Sequence, residues 1–402
     1  MLRKYLNCNY ILFFKNFILL LIVTFLCISI LIIPQSSASG VKTGLNSCVN
    51  ILVPSLFPFM VLSSFIVKCG ISEYMGKLIA PITKTIFKLP GYTGIIILLG
   101  LIGGYPTGAI GINELYNQKK ISSKQAEQML LFTVGAGPAF VINAIGNQLY
   151  KNQYIGVLIF ASQVISSIIL GILIGRCFNN NSKEKEILNI TKNSSLSCAL
   201  VESCLASSKA MFNMCAFVIL FSALLNIFKE TSFISALSNY FCALNVSPSI
   251  SNSIFPIICE VTNGCISCAN NHAPIELTAF TLGFAGLCVH FQIFSITEAI
   301  NFSKSKFIIC RFLHGALSSI VVHFLLILFS SHTCSPTIKL VYSSNKSNCY
   351  FSKGSIALIL LCIYFLFSVT AKTTNFKSKQ RLFRRYKIEG IKKRRYKKNY
   401  KK

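Results

Sequence analysis

Hydrophobic runs separated by short polar connectors fill most of the chain. A helix of about 20 mostly apolar residues crosses the hydrocarbon core of a bilayer. Ten such runs are predicted as membrane segments, at 11–33, 45–67, 92–112, 128–149, 155–174, 210–227, 250–269, 275–294, 307–329 and 356–369. Because some of them are interrupted, the pattern predicts an all-α, polytopic integral membrane protein with about 8–10 transmembrane helices.

Four of these runs contain residues that disfavour a continuous helix. Four glycines and a proline lie within 100–108, a Gly-Ala-Gly-Pro stretch lies at 135–138, and a polar stretch at 260–264 and a Gly-Phe-Ala-Gly stretch at 283–286 follow later. Unwound backbone at membrane depth is tolerated where protein buries it or where it lines a wet cavity. In many secondary transporters such breaks form the substrate site. The alternative is a kinked helix that packs closely through its small residues.

The order of spans and breaks occurs twice, which predicts two repeats with discontinuous or re-entrant segments. Small residues at 36–39 follow the first run as in a signal peptide, but the run is long for one, so we predict an uncleaved helix. The predicted organisation is an N-terminal transmembrane anchor (1–40), a first Gate-like repeat (41–178), a polar linker (179–208), a second Gate-like repeat (209–331), a polar loop with the last transmembrane helix (332–371) and a basic cytoplasmic tail (372–402).

Composition and charge agree with a membrane protein. Of 402 residues, 53% are hydrophobic and 12% are charged. The net charge is +28, but fifteen Lys and Arg residues lie in the last 31 positions. A basic segment after a membrane span is typical of a cytoplasmic anchor on anionic lipid. Since no nucleic-acid-binding motif accompanies it, we predict the lipid bilayer and anionic lipid as partners, and no nucleic acid.

The cysteines indicate neither a disulfide framework nor a metal site. The 17 cysteines lie mostly within apolar runs, where a free thiol behaves as a small hydrophobic group. Cys265 and Cys268 form a single C-x-x-C pair without further ligands at metal-binding spacing. We predict no metal and no cofactor, and the sequence does not identify a coupling ion.

Glu260 is the most informative single residue, because an acid in an apolar run usually marks a pathway, a relay or an ion site. The alternative is a structural carboxylate that binds exposed backbone. The predicted substrate-binding residues are Gly103, Gly104, Tyr105, Pro106, Thr107, Gly108, Gly135, Gly137, Pro138, Glu260, Thr262, Asn263 and Gly264, supported by Asn143, His290 and Gln292. Helix N-termini at such breaks favour an anion.

Two further features bear on function. Arg311 and His314 lie one helical turn apart, which is compatible with polar ends that reach the membrane interface. No nucleophile with a base, pair of carboxylates or dinucleotide-binding motif is present, so we predict that the protein is not an enzyme. An intramembrane enzyme would need a second acid or nucleophile beside Glu260.

Several motifs resemble those of a known family. Gly-Gly-Tyr-Pro-Thr-Gly-Ala at 103–109, Lys-Gln-Ala-Glu-Gln-Met-Leu-Leu-Phe-Thr at 124–133, Ala-Gly-Pro-Ala-Phe-Val at 136–141 and Glu-Val-Thr-Asn-Gly-Cys at 260–265 are similar to the YlbJ family of sporulation integral membrane proteins. Its members carry nucleoside-recognition, or Gate, domains. The resemblance implies a protein of endospore-forming bacteria that moves dipicolinic acid, in the cell membrane or the outer forespore membrane.

The resemblance and the residues together favour a sporulation-associated transporter or permease for a small polar, anionic solute. One alternative is a non-transporting membrane scaffold for spore formation, in which the breaks serve close packing. Another is a Gate-domain paralogue that carries a nucleoside or another solute. A homo-oligomer is compatible with each of these.

Overall fold

The computed structural model describes residues 20–21, 23–25, 27–178 and 195–329. The predicted last span, the basic tail, positions 11–19 of the first run and most of the predicted linker lie outside the described residues. Within the described residues the chain forms helices and no strand. The helices are α1 (Pro34–Lys68), α2 (Ile71–Ile82), α3 (Gly94–Ile102), α4 (Tyr105–Asn117), α5 (Ser123–Thr133), α6 (Ala139–Leu149), α7 (Gln153–Cys177), α8 (Leu196–Glu230), α9 (Phe233–Ala243), α10 (Pro248–Cys259), α11 (Val261–Asn270), α12 (Ile275–Phe284), α13 (Gly286–Ile296) and α14 (Lys304–Leu328).

Five helical segments of the described residues are long and apolar enough to cross a membrane. They are α1, α7, α8, α14 and the consecutive helices α12 and α13 taken as one segment. A sixth is counted if the pair Leu78–Phe87 and Gly91–Ile102, which bends by 97°, forms one span. The predicted all-α polytopic class is therefore confirmed. The predicted segments at 128–149 and 250–269 do not reach this length, because each consists of two shorter helices.

The first two predicted breaks are present and have clear local causes. At the first break, α3 ends at Ile102 and α4 begins at Tyr105, with Pro106 in its first turn. Gly104 between them has φ +93°, and a Cβ there would lie 2.4 Å from Leu56 Cδ2, so only glycine fits. At the second break, α5 ends at Thr133 and residues 134–137 are not helical.

The other two breaks interrupt the second half of the described chain. At the third, Glu260 has extended backbone, with φ −152° and ψ 131°, between α10 and α11. At the fourth, Ala285 between α12 and α13 has a left-handed conformation with φ 72°. The four breaks therefore occur in the predicted order, and the boundaries of the two repeats stay a prediction.

Long helices pack closely where small residues let their backbones approach. A Cβ on Gly40 of α1 would lie 2.6 Å from the Ala223 Cα of α8, and a Cβ on Gly283 would lie 2.6 Å from the Gly315 Cα of α14. Small residues are the usual means of close helix contact in membranes, where apolar surface alone does not drive association. These contacts join α1 to α8 and α12 to α14.

Candidate functional site

The breaks surround one narrow buried cavity. Its walls come from α1, α4, α6, α8, α11 and α13 together with the second and third breaks, through Leu52, Leu56, Tyr105, Gly137, Phe140, Met214, Val218, Glu260, Val261, Thr262, Val289 and Gln292. The space that the centre of a water molecule can reach measures about 20 Å³, which is room for about one water molecule. The cavity is therefore too small in this conformation to hold an organic solute.

Direct contacts join the breaks in pairs. A Cβ built on Gly137 would lie 3.2 Å from the Gly104 backbone nitrogen, so the first and second breaks touch. A Cβ built on Gly286 would lie 3.1 Å from the Glu260 nitrogen, so the third and fourth breaks touch. The Tyr105 hydroxyl donates a hydrogen bond of 2.7 Å to the Leu282 carbonyl, which connects the first pair to the second.

Glu260 immediately precedes the first residue of α11 and lines the cavity. Its carboxylate is 1% exposed and accepts hydrogen bonds from the Thr262 N–H (2.9 Å), the Asn263 N–H (2.7 Å) and the Asn263 Nδ2 group (2.8 Å). A carboxylate that receives backbone N–H groups at a helix N-terminus is a typical cap. The same carboxylate therefore caps a helix and lines the cavity, and its role in a pathway or an ion site stays a prediction.

Two other predicted polar residues also line the cavity. Thr262 is buried next to Glu260, to which its backbone N–H donates a hydrogen bond of 2.9 Å. Gln292 is buried on α13 and its Nε2 group contacts Cys288 Sγ at 3.2 Å. With Tyr105 and Glu260, they give an otherwise apolar cavity four polar side chains.

Most of the other predicted site residues shape the breaks rather than the cavity wall. Thr107 Oγ1 donates a hydrogen bond of 2.7 Å to the Gly103 carbonyl, and Gly108 packs against Gly100. Asn263 binds Glu260, and Gly264 packs against the backbone of Ile257. The residues Gly103, Gly104, Pro106, Thr107, Gly108, Gly135, Pro138, Asn263 and Gly264 do not line the cavity.

Two predicted supporting residues lie elsewhere. Asn143 is exposed, because α6 has wider, π-type turns that change which of its residues face inward. His290 is buried, but its Nε2 atom pairs with the Phe284 carbonyl at 2.9 Å and its ring contacts Phe284 and Phe307 edge-on. Neither residue lines the cavity, His290 forms part of the packing of α13, and a supporting role for either stays a prediction.

Arg311 is a buried cation beside the second break, so its interpretation as an interfacial residue was wrong. Its side chain is fully buried, and its guanidinium donates hydrogen bonds to the carbonyls of Val134 and Leu131 at the end of α5. The same guanidinium lies over the Phe307 ring, 5.9 Å from its centroid. The sequence did indicate a buried polar face, since Arg311, His314 and Ser318 are spaced so that they lie on one side of an apolar helix.

The helix ends around the cavity give it an uneven electrostatic field. The N-terminal ends of α4, α6 and α11 lie at the cavity, and each carries a partial positive charge. Glu260 caps α11, whereas α4 and α6 carry no side-chain cap. Uncapped N–H groups and partial positive charge therefore lie at the first two breaks, and the acidic group of the cavity wall lies at the third.

The Tyr105 hydrogen bond gives a first prediction. Tyr105→Phe removes the hydroxyl that joins α4 to α12, and we expect it to lower the free energy of unfolding by about 1 kcal/mol. Thermal unfolding of the purified protein in detergent measures this, with Tyr240→Phe as the control, since Tyr240 is 62% exposed. Equal unfolding temperatures for the two variants would contradict the assigned bond.

Comparison with known proteins adds one match. No family model matches the chain, and no solved structure matches it. The chain is 24% identical over 324 residues to the sporulation integral membrane protein YlbJ of Bacillus subtilis (strain 168), and the match covers 74% of this chain and 79% of that protein. Together with the apolar helices, this similarity supports an integral membrane protein. The chain is thus similar, over most of both sequences, to the sporulation integral membrane protein YlbJ.

Proposed function

We propose that this chain is a sporulation-associated membrane transporter, or permease, for a small polar, anionic solute. The observation that carries the proposal is the convergence of broken helices on one small cavity, whose otherwise apolar wall includes Tyr105, Glu260, Thr262 and Gln292. Unwound backbone exposes N–H and C=O groups that helices would otherwise use internally, and at membrane depth a passing solute can use them.

The uncapped helix ends support the proposal that the solute is an anion. The N-terminal ends of α4 and α6 present partial positive charge at the cavity. Arg311 adds a full positive charge behind the second break, where no acidic side chain is among its hydrogen-bond partners in the described part of the chain. These groups favour a carboxylate on the side of the cavity formed by the first two breaks.

The cavity volume requires that the site opens during transport. About 20 Å³ holds one water molecule but no organic solute. The breaks supply the hinges, because non-helical residues can change φ and ψ without breaking a continuous helix. The first pair of breaks can separate from the second where Tyr105 meets Leu282.

The resemblance to the sporulation family points to a dipicolinate-like cargo and to the outer forespore membrane as the site of action. Such a solute is a small planar dicarboxylate. It would place one carboxylate at the uncapped ends of α4 and α6, and its apolar ring would contact cavity residues such as Phe140 and Val289.

Uptake by vesicles tests the proposal. The purified full chain, reconstituted in liposomes, is expected to take up labelled dipicolinate saturably, and unlabelled dicarboxylates should compete more strongly than nucleosides. Protein-free liposomes give the background. If no anion or nucleoside enters above background while spore formation still depends on the chain, the transporter proposal fails and a scaffold role replaces it.

A further inference from the structure

We propose that the two halves of the described chain, α1–α7 and α8–α14, are inverted repeats, each with a hairpin that gates one face of the membrane. The helices of the two halves match in order. Each half begins with a helix of 35 residues, continues with a short helix and two interrupted pairs, and ends with a helix of 25 residues. The contacts between matching helices give the relative orientation of the halves.

The first long helices of the two halves, α1 and α8, run in opposite directions. A Cβ on Gly40, near the start of α1, would lie 2.6 Å from the Cα of Ala223, near the end of α8. At the other end of α1, the Lys68 Nζ lies 3.1 Å from the Glu202 Oε2, near the start of α8. Because matching helices are antiparallel, the axis that exchanges the halves lies in the plane of the membrane.

The last helices of the two halves, α7 and α14, are antiparallel as well. Near the start of α14, the Lys306 Nζ lies 5.7 Å from the ring centroid of Phe178, which directly follows α7. Farther along α14, the His314 Nε2 lies 3.0 Å from the carbonyl oxygen of Gln163 in α7. The contact therefore moves toward the start of α7 as it moves away from the start of α14.

One contact between the halves occurs twice, with the halves exchanged. Glu127 in α5 accepts a hydrogen bond of 3.2 Å from the Ser303 N–H, directly before α14. In the other half, the Thr278 hydroxyl of α12 is hydrogen-bonded to the Tyr150 hydroxyl, shortly before α7. Each half thus places its fifth helix against the segment that precedes the last helix of the other half, as a twofold axis requires.

In each half the first interrupted pair of helices forms a hairpin. A Cβ on Gly100 of α3 would lie 3.1 Å from the Cα of Gly108 in α4. A Cβ on Gly264 of α11 would lie 3.0 Å from the Cα of Ile257 in α10. Such residues would be about 10–12 Å apart along a straight helix, so the chain folds back at both breaks. Each hairpin enters the membrane and returns to the face from which it came.

The α3–α4 hairpin lies along the end of α1. Near its tip, the Ser63 Oγ of α1 donates a hydrogen bond of 3.0 Å to the Thr107 carbonyl of α4. Farther from the tip, the Lys68 Nζ at the end of α1 lies 3.8 Å from the Glu114 Oε2 of α4. This hairpin therefore opens to the face at which α1 ends.

The α10–α11 hairpin lies along the end of α8 in the same way. Near its tip, the Asn263 Nδ2 of α11 donates a hydrogen bond of 3.3 Å to the Ser222 Oγ of α8. Farther from the tip, the ring centroids of Phe255 in α10 and Phe228 in α8 are 5.2 Å apart. Because α1 and α8 are antiparallel, the two hairpins open to opposite faces.

The two hairpins meet at the cavity, which Tyr105 lines beside one tip and Glu260 lines at the other. Each hairpin lies between the cavity and its own face of the membrane. Movement of one hairpin then opens the cavity to one face while the other hairpin keeps it closed to the other face, a step that rests on the proposed transport function. The inverted arrangement of the halves does not depend on that function.

Protease accessibility tests the inversion without requiring transport. A cleavage site for a specific protease is inserted into the full chain at 118–122, between α4 and α5, or at 271–274, between α11 and α12. In sealed vesicles of known orientation we expect the two sites to be cleaved from opposite faces, and in detergent both should be cleaved. Sites at 150–152, before α7, and 297–303, before α14, form a second such pair if an insertion prevents folding. Cleavage of both members of a pair from one face would overturn the inversion.

Crosslinking tests the gates. Lys68→Cys combined with Glu114→Cys, joined by a short cleavable thiol crosslinker, should hold the α3–α4 hairpin against α1. We expect uptake of labelled dipicolinate to fall to the level of protein-free liposomes and to return when the crosslinker is cleaved, whereas each single variant treated in the same way should keep its uptake. Full uptake by the crosslinked protein would overturn the gate. No uptake by the unmodified protein would refute the transport function, and the protease result would still decide the inversion.

Discussion

Glu260→Gln should reduce solute uptake by reconstituted vesicles at least about 100-fold, while the protein still inserts into the membrane. Glutamine has nearly the same shape, and its single side-chain oxygen can still accept one of the N–H groups at the start of α11. The negative charge in the cavity is lost. The effect should therefore fall on transport much more than on folding, and the initial rate of uptake measures it.

Glu276→Gln is the matched control, because it makes the same chemical change outside the cavity. Glu276 lies at the start of α12, and its carboxylate pairs with His323 at 2.8 Å on a partly exposed surface. An exposed pair of this kind contributes little to stability, so uptake should stay within about twofold of the unmodified protein. Equal uptake by the Glu260 and Glu276 variants would mean that Glu260 is only a helix cap.

Arg311→Met should cause a large loss of stability at the second break. Methionine keeps most of the side-chain volume but removes the donors to Val134 and Leu131 at the end of α5. Leaving buried carbonyls without a donor costs about 1–3 kcal/mol each. We therefore expect an unfolding free energy lower by about 3 kcal/mol, seen as a lower unfolding temperature and a lower amount of folded protein.

Arg311→Lys and Arg176→Met separate the role of the charge from that of the geometry. Lysine keeps the positive charge but loses the planar fork that reaches two carbonyls at once, so we expect partial recovery of stability and of solute affinity. Arg176 is exposed near the end of α7, and its replacement by methionine should have little effect. If Arg311→Met were as stable as Arg176→Met, the second break would not depend on the buried guanidinium.

The breaks could be predicted from the sequence because their causes are local. Pro106 lies in the first turn of α4, Gly104 has a positive φ, and Glu260 caps α11. Each of these residues ends or begins a helix within a few positions of itself. Glu260 could be singled out for the same reason, since a single acid within an apolar run needs no knowledge of the tertiary fold.

Features that depend on distant contacts could not be predicted in this way. The hydrogen bonds of Tyr105 with Leu282 and of Arg311 with Val134 join residues 177 positions apart. Asn143 is exposed on α6, and the π-type turns of this helix are not indicated by the apolar pattern. The volume of the cavity depends on how side chains from several helices pack together. The pattern of apolar residues along the chain does not indicate that packing.

The central claim is that the broken helices enclose the place where a small polar solute binds. An experimental structure of the full chain in lipid nanodiscs, determined with saturating dipicolinate, tests it most directly. The account predicts solute density between Tyr105, Gly137 and Glu260, in a cavity wider than the present one of about 20 Å³. A structure in which that cavity stays closed and empty while the solute binds elsewhere, or does not bind, would contradict the account.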